Sequence, residues 1–95
     1  MRKILESKKF RRDRKRIDRS GKYAEAVEKR FIPAVIALAN DEQLDSSYYD
    51  HALKGDMKGR RECHILFDLL LIYWYEGDDV LWLDRLNTHS EALKL

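Results

Sequence analysis

The chain has 95 residues, of which 44% are hydrophobic and 38% are charged, so it can build one hydrophobic core but not two. The hydrophobic residues stand in separate blocks, which argues against a disordered chain despite the high charge, and we predict a single domain over residues 1–95. One cysteine, Cys63, excludes an intrachain disulfide and a cysteine zinc cluster and fits a reducing, cytoplasmic location.

The net charge of +2 hides two opposite halves. Residues 1–30 contain 13 Lys or Arg and 5 Asp or Glu, a net of +8, whereas residues 31–95 contain 6 and 12, a net of −6. A basic half is typical of a surface that binds a polyanion, because neutralised phosphates release counterions; a solvated charged helix is the alternative. The sequence has no long uncharged apolar run, so we expect no membrane span and no signal peptide.

The first elements are predicted to be a short strand over residues 2–6 and a helix. Ser7 is a suitable N-cap for this helix, which runs to about Ser20 and ends at Gly21. Phe10 and Ile17 share one face of it and predict where it packs, while cations cover most of the remaining surface.

A second helix is predicted from Tyr23 to Asn40, because its apolar residues recur at helical spacing. Pro33 interrupts this pattern, so the helix is expected to be bent or split there. Residues 41–50 have no clear period and predict a loop.

The rest of the chain predicts four strands, with glycine-containing turns after the first and the third, and the third strand is apolar on both faces and therefore central. These strands are residues 52–54, 61–65, 69–75 and 80–86. The predicted fold class is α+β, with the order β-α-α-β-β-β-β and two N-terminal helices packed on one face of a mostly antiparallel sheet.

All three histidines lie in or beside predicted strands. On alternate strand positions, His51, Arg61 or His64, and Arg85 share the face without helices, with Asp68 and His89 at its rim. Histidines exchange protons near neutral pH, and arginine offers a fixed charge to phosphate. These are the groups that a metal-free ribonuclease needs to deprotonate a ribose 2′-OH, stabilise the phosphate and protonate the leaving 5′-oxygen.

Each of these residues also has an ordinary structural explanation. A histidine in a strand is more often structural, and Arg85 could pair with Asp84 or Glu91. Trp74 and Trp82 are expected in the core rather than as stacking platforms. A zinc site is disfavoured, since the histidine separations match no local ligand pattern.

Several segments taken together resemble the YafQ branch of the RelE/ParE superfamily of bacterial toxins. The motifs D-H-x-L-x-G, R-[DE]-x-H and R-x-x-[ST]-H occur in this order, at Asp50–Gly55, Arg61–His64 and Arg85–His89, with Asp68 and Leu71–Tyr73 between the last two. The resemblance implies a RelE-like fold and an mRNA interferase that enters the 30S A site of the ribosome and cuts the codon there without metal or cofactor.

The resemblance also implies residue roles. His51 is expected as general base and His89 as general acid, although the two roles could be exchanged; His64 and Arg85 would stabilise the phosphorane and Asp68 would orient a histidine. Phosphate or RNA contacts are expected from Arg61, Arg60, Lys58 and Lys54. The first helix is expected to contact ribosomal RNA through Lys8, Lys9, Arg11, Arg12, Lys15, Arg16 and Arg19.

A family pattern of this kind implies a cognate antitoxin, with an acidic segment that wraps the toxin and blocks its basic surface, and the complex could be a heterotetramer. The chain departs from the family at Leu69, Leu93 and Met57, where aromatic residues are common, which leaves codon preference open. Two other functions stay open: a non-catalytic, ParE-like gyrase poison, and an inactive regulator that binds antitoxin and operator DNA.

Overall fold

The computed structural model describes residues 1–88. Its helical segments are α1 Lys8–Ser20, α2 Ala24–Ala26, a π-helical turn Val27–Phe31 and α3 Ile32–Ala39; its strands are β1 Lys3–Glu6, β2 His51–Ala52, β3 Arg61–Leu66, β4 Leu69–Glu76 and β5 Val80–Thr88. The predicted α+β class, with two helices and a mostly antiparallel sheet, is confirmed. Within residues 1–88, no helix is both long and apolar enough to span a membrane.

Helix α1 begins and ends where its capping residues predict. The Ser7 side chain accepts a hydrogen bond from the Phe10 N–H at 2.9 Å, and Gly21 has a left-handed φ of 67° that an L-residue adopts only with strain. Phe10 and Ile17 are buried, as their spacing indicates, and Asp13 is buried on the same face.

The second helix is neither split nor interrupted at Pro33. Segments α2 and α3 are joined directly by the π-helical turn, in which the Ile32 N–H donates to the carbonyl of Val27, five residues earlier. The wide turn lies immediately before Pro33, which has no N–H and whose ring crowds the carbonyl one turn before it. The local widening lets the helix continue through the proline.

The five strands form one sheet in the order β1-β5-β4-β3-β2. Strand β1 is parallel to β5, and the other neighbours are antiparallel. Ile72 pairs with Arg85 and Tyr73 with Leu83, so β5 carries one extra residue, Asp84, at this point. Such a bulge re-aims the side chains that follow it.

Both helices pack on the face of the sheet that carries Cys63, Leu71 and Tyr73, and their apolar residues form one core cluster with it. We call the opposite side the open face. It carries His64 of β3 and Ile72 of β4, since side chains alternate along a strand. All residues from Leu69 to Tyr73 are buried, which confirms β4 as the central strand.

The two tryptophans are not in the core, contrary to expectation. Trp74 and Trp82 are half-buried on the open face, stacked on each other with ring centroids 6.0 Å apart. The face has no covering helix layer, so the two large rings shield each other instead.

Candidate functional site

His51 and His64 both lie on the open face and border one groove. His51 pairs with Glu62 across β2 and β3, and Glu62 shares a face with His64 two residues later. We call the depression beside them the apolar groove, with a volume of about 700 Å³. It is lined by Arg30, Ser47, Tyr49, His51, His64, Ile65, Leu66 and Phe67.

Both ring nitrogens of His51 have neighbours that orient the imidazole. Its Nδ1 lies 2.7 Å from the carbonyl oxygen of Tyr49 and, because a carbonyl only accepts, this nitrogen carries the proton. Its Nε2 lies 3.3 Å from Glu62 Oε1. The Tyr49 ring meets the His64 ring edge-on, with centroids 5.7 Å apart, so one short loop contacts both histidines.

Arg30, in the π-helical turn, supports this part of the site from behind. Its guanidinium donates to the carbonyl of Ile65 at 2.9 Å, to that of His64 at 3.4 Å and to the Ser47 hydroxyl at 3.0 Å. It also lies 3.9 Å from the centroid of the Tyr48 ring. One side chain therefore ties helix, loop and strand β3 together at His64, a role that neither the helical spacing nor the motifs predict.

A second depression on the open face, which we call the basic groove, lies along β4 and β5. It is lined by Ser7, Lys8, Lys9, Asp56, Met57, Arg60, Ile72, Asp84 and Arg85. Arg60 pairs with Asp84, Nε to Oδ2, at 3.0 Å, and its guanidinium carbon lies 5.5 Å from the centroid of the Trp74 ring. Four cations against two carboxylates leave this groove positive.

Arg85 is held in place by Asp13 of α1. Its Nε donates to Asp13 Oδ2 at 2.8 Å, and the same carboxylate oxygen accepts the Leu86 N–H at 2.9 Å. Strand β1 ends at Glu6, so the edge of β5 beyond Leu83 has no neighbouring strand, and Asp13 satisfies one of its backbone donors. The position of Asp13, three residues after Phe10 and four before Ile17, was the available signal for a buried carboxylate.

Arg61 points to the helix-covered side, so of the two expected alternatives it is His64 that lies on the open face. The Arg61 guanidinium donates to Asp50 Oδ1 and Oδ2 at 3.4 and 3.3 Å and to the Tyr73 hydroxyl at 3.3 Å. Tyr73 in turn donates to Asp50 at 2.6 Å, and burial, followed by this hydrogen bond, raises the pKa of Tyr73. Here Arg61 ties the loop before His51 to the central strand.

Asp68 lies in the turn between β3 and β4, where its carboxylate accepts a hydrogen bond from the Tyr23 hydroxyl at 3.0 Å. Burial, then this bond to Asp68, raises the pKa of Tyr23. His89, the expected general acid, and Leu93 lie outside the described residues.

Most of the expected RNA-binding cations are exposed. Lys54 and Lys58 lie in and beside the exposed turn between β2 and β3, and Arg60 is half-buried in the basic groove. On α1, the exposed cations are Lys8, Lys9, Arg11, Arg12, Lys15, Arg16 and Arg19. Within residues 1–88 no group of three His, Cys, Asp or Glu side chains is arranged to hold a metal ion.

Comparison with known proteins agrees with this architecture. The model of the family described as bacterial toxin of type II toxin-antitoxin system, YafQ, matches residues 2–94. The chain belongs to the YafQ toxin family. A YafQ homologue from Haemophilus influenzae is 48% identical over 69 residues, covering 68% of each chain.

Solved YafQ-like structures share the fold over nearly the whole chain. A metal-bound toxin from Helicobacter pylori has a TM-score of 0.81 and 40% identity, covering 96% of this chain and 98% of its own. YafQ in the Escherichia coli DinJ-YafQ toxin-antitoxin complex has a TM-score of 0.79 and 30% identity, covering 95% of this chain and 94% of its own.

Two of the departures from the YafQ pattern can be located in the structure. Leu69 is fully buried under the helices, so it offers no surface to a ligand. Met57 is half-buried and lines the basic groove. An aromatic surface beside the histidines must therefore come from other positions than these two.

Proposed function

We propose that the chain is the toxin of a toxin–antitoxin pair and acts as a ribosome-dependent, metal-independent mRNA endonuclease at the A site. The observation that carries the proposal is the shared open face. Two imidazoles border one groove on it, and a groove with four cations lies along the neighbouring strands of the same face. General acid–base groups next to a phosphate-binding surface are what RNA cleavage without metal requires.

In the proposed reaction, His51 takes the proton of a ribose 2′-OH, and the 2′-oxygen attacks the adjacent phosphorus. The phosphorus–5′-oxygen bond breaks, and His89 protonates the departing oxygen. The products are a 2′,3′-cyclic phosphate and a 5′-hydroxyl. His64 and Arg85 stabilise the negative charge of the phosphorane, with Arg85 oriented by Asp13. The role of Asp68 in orienting one of the histidines remains a prediction.

The exposed cations of α1 support binding to ribosomal RNA. All seven predicted contacts are exposed, whereas the apolar residues of the helix face the core, so the helix presents one cationic surface. Because each phosphate contact releases a counterion, binding should weaken steeply with salt. A cognate antitoxin with an acidic segment would cover this surface. The Escherichia coli DinJ-YafQ complex is the precedent for an antitoxin partner.

Mapping of mRNA 5′ ends after induction tests the proposal directly. Wild type should cut at codon boundaries, and His64→Gln, which keeps the side-chain size but removes the imidazole that stabilises the phosphorane, should lower the cleavage rate by about 100-fold or more. Ile36→Ala, an exposed position on α3, is the control for expression and folding. Growth arrest with intact mRNA in both forms would contradict cleavage and favour the gyrase poison.

Two controls test whether cleavage requires a metal ion and whether it requires the ribosome. EDTA at concentrations that leave ribosomes intact should not change the cleavage rate, because side chains supply both proton transfers. This control matters since a related toxin is metal-bound. Naked mRNA should be cut far more slowly than ribosome-bound mRNA, and equal rates would refute the A-site proposal.

A further inference from the structure

The apolar groove combines exposed aromatic rings with the two candidate catalytic histidines. Within residues 1–88, Phe67 and Tyr49 are the exposed aromatic side chains, with 87% and 71% of their surface accessible. Both line the groove that His51 and His64 border. Aromatic side chains that keep most of their surface accessible forgo part of the stabilisation of burial, so two of them at one groove mark a surface for a ligand.

The backbone holds Tyr49 in an unusual conformation. It has a left-handed φ of 49°, which a residue with a bulky side chain rarely adopts. The Asp45 carboxylate caps the preceding 3-10 turn by accepting the Ser47 N–H at 2.9 Å, and the Tyr49 N–H donates to Ser46 at 3.1 Å. The Tyr49 carbonyl then accepts from His51, so the strained residue is bonded on both sides. This arrangement places the ring against His64 instead of in the core.

The charge of the groove favours an anionic ligand over a neutral one, and its two aromatic rings favour a nucleotide over an acidic peptide. Its lining includes the Arg30 guanidinium and two imidazoles, and no carboxylate is among the eight lining residues. Ile65 and Leu66 add apolar wall. A flat base suits the aromatic and apolar surface, and the attached phosphate suits the Arg30 guanidinium.

We infer that the apolar groove is a subsite for one unpaired RNA base, which stacks on Tyr49 and Phe67 next to His51 and His64. The inference rests on the proposed function and deepens it. The base that enters the groove belongs to the nucleotide beside the scissile phosphate, so these two aromatic residues contribute to affinity and to the choice of codon.

Binding to a short single-stranded RNA tests the subsite without requiring cleavage. The RNA carries 2-aminopurine, whose fluorescence falls on stacking, and 2′-O-methyl groups that prevent cleavage. Wild type should quench the signal saturably. Tyr49→Ala and Phe67→Ala should each weaken binding by roughly 5- to 100-fold, the effect of losing one stacking ring. Tyr49→Phe should bind like wild type, as should Ile36→Ala, which removes an exposed side chain from α3.

Cleavage on ribosomes provides the second measurement. If the subsite is correct, Tyr49→Ala and Phe67→Ala raise KM and change the codon profile. If wild type cleaves no mRNA, the proposed function fails, while the fluorescence measurement still decides whether the groove binds a base. The inference is overturned if wild type shows no quenching, or if both alanine variants bind the RNA with the affinity of wild type. Equal RNA affinity together with weaker neutralisation by the cognate antitoxin also overturns it, because the groove is then a protein-binding surface.

Discussion

Removal of the Asp13 carboxylate should destabilise the fold far more than removal of any other carboxylate on α1. Asp13 is 3% exposed and accepts hydrogen bonds from Arg85 and from the Leu86 N–H. Asp13→Ala leaves the Leu86 N–H in a buried position without this acceptor and removes the Asp13 charge from beside the mostly buried Arg85 guanidinium. Both consequences act on strand β5, next to the core.

The magnitude follows from the burial of the two partners. Breaking a buried ion pair costs about 3–5 kcal/mol, and a buried N–H without its acceptor costs about 1–3 kcal/mol. The two interactions share one carboxylate, so their costs do not add in full, and water compensates part of the loss at the Arg85 side chain, which is 23% exposed. We therefore take the lower end of the ion-pair cost, about 3 kcal/mol. A domain of this size has a total stability of roughly 5–14 kcal/mol. The expected fall in Tm is at least about 12 °C.

Thermal denaturation followed by circular dichroism measures this fall. Asp18→Ala is the matched control, since Asp18 is on the same helix, pairs with Arg14 at 3.2 Å and is 52% exposed. An exposed pair of this spacing contributes about 0.3–0.5 kcal/mol, so the control should lose no more than about 4 °C. Equal losses in the two variants would refute the assignment of Asp13 as the buried anchor of β5.

Arg30→Lys should lower kcat by about 10- to 100-fold with little change in KM, because a single ammonium cannot hold the His64 and Ile65 carbonyls and Ser47 together. The neighbouring Lys29→Ala, which removes an exposed pair, should leave both constants unchanged; an unchanged kcat in Arg30→Lys would count against the positioning role. Burial raises the pKa of Cys63 to about 12, so the native thiol should react with a thiol reagent only on unfolding. Since the folded state keeps the Cys63 thiol neutral, its contribution to the free energy of unfolding is fully present below about pH 8.5, the pKa of the thiol in the unfolded chain. That contribution is lost as the pH rises from there to about 12. Tm should therefore fall in this alkaline range, and less steeply in Cys63→Ala.

The elements that depend on neighbouring residues could be predicted from the sequence. Ser7 and Gly21 define α1 because capping uses groups within a few residues of the helix end. The continuous apolar run over β4 predicts a strand buried on both faces for the same local reason. Pro33 shows the limit, since the π-helical turn that accommodates it has no signature in the apolar spacing.

The candidate site could be predicted only in part. The motifs identify His51 and His64, and the strand period allows either Arg61 or His64 on the open face. The choice between the two depends on which face the helices cover, and no local pattern carries that information. The contacts of Asp13 with β5 and of Arg30 with β3 join residues 73 and 35 positions apart, so their roles could not be predicted from spacing.

By itself, the sequence determined the helix ends, the central strand, the basic first helix and the histidine motifs, because each depends on local spacing or on a family pattern. Only the tertiary structure decided which side chains share the open face, which carboxylate orients Arg85 and which aromatic rings remain exposed beside the histidines. These depend on strand register and on packing between distant segments. The groove formed by Tyr49 and Phe67 is therefore a property of the fold rather than of any one motif.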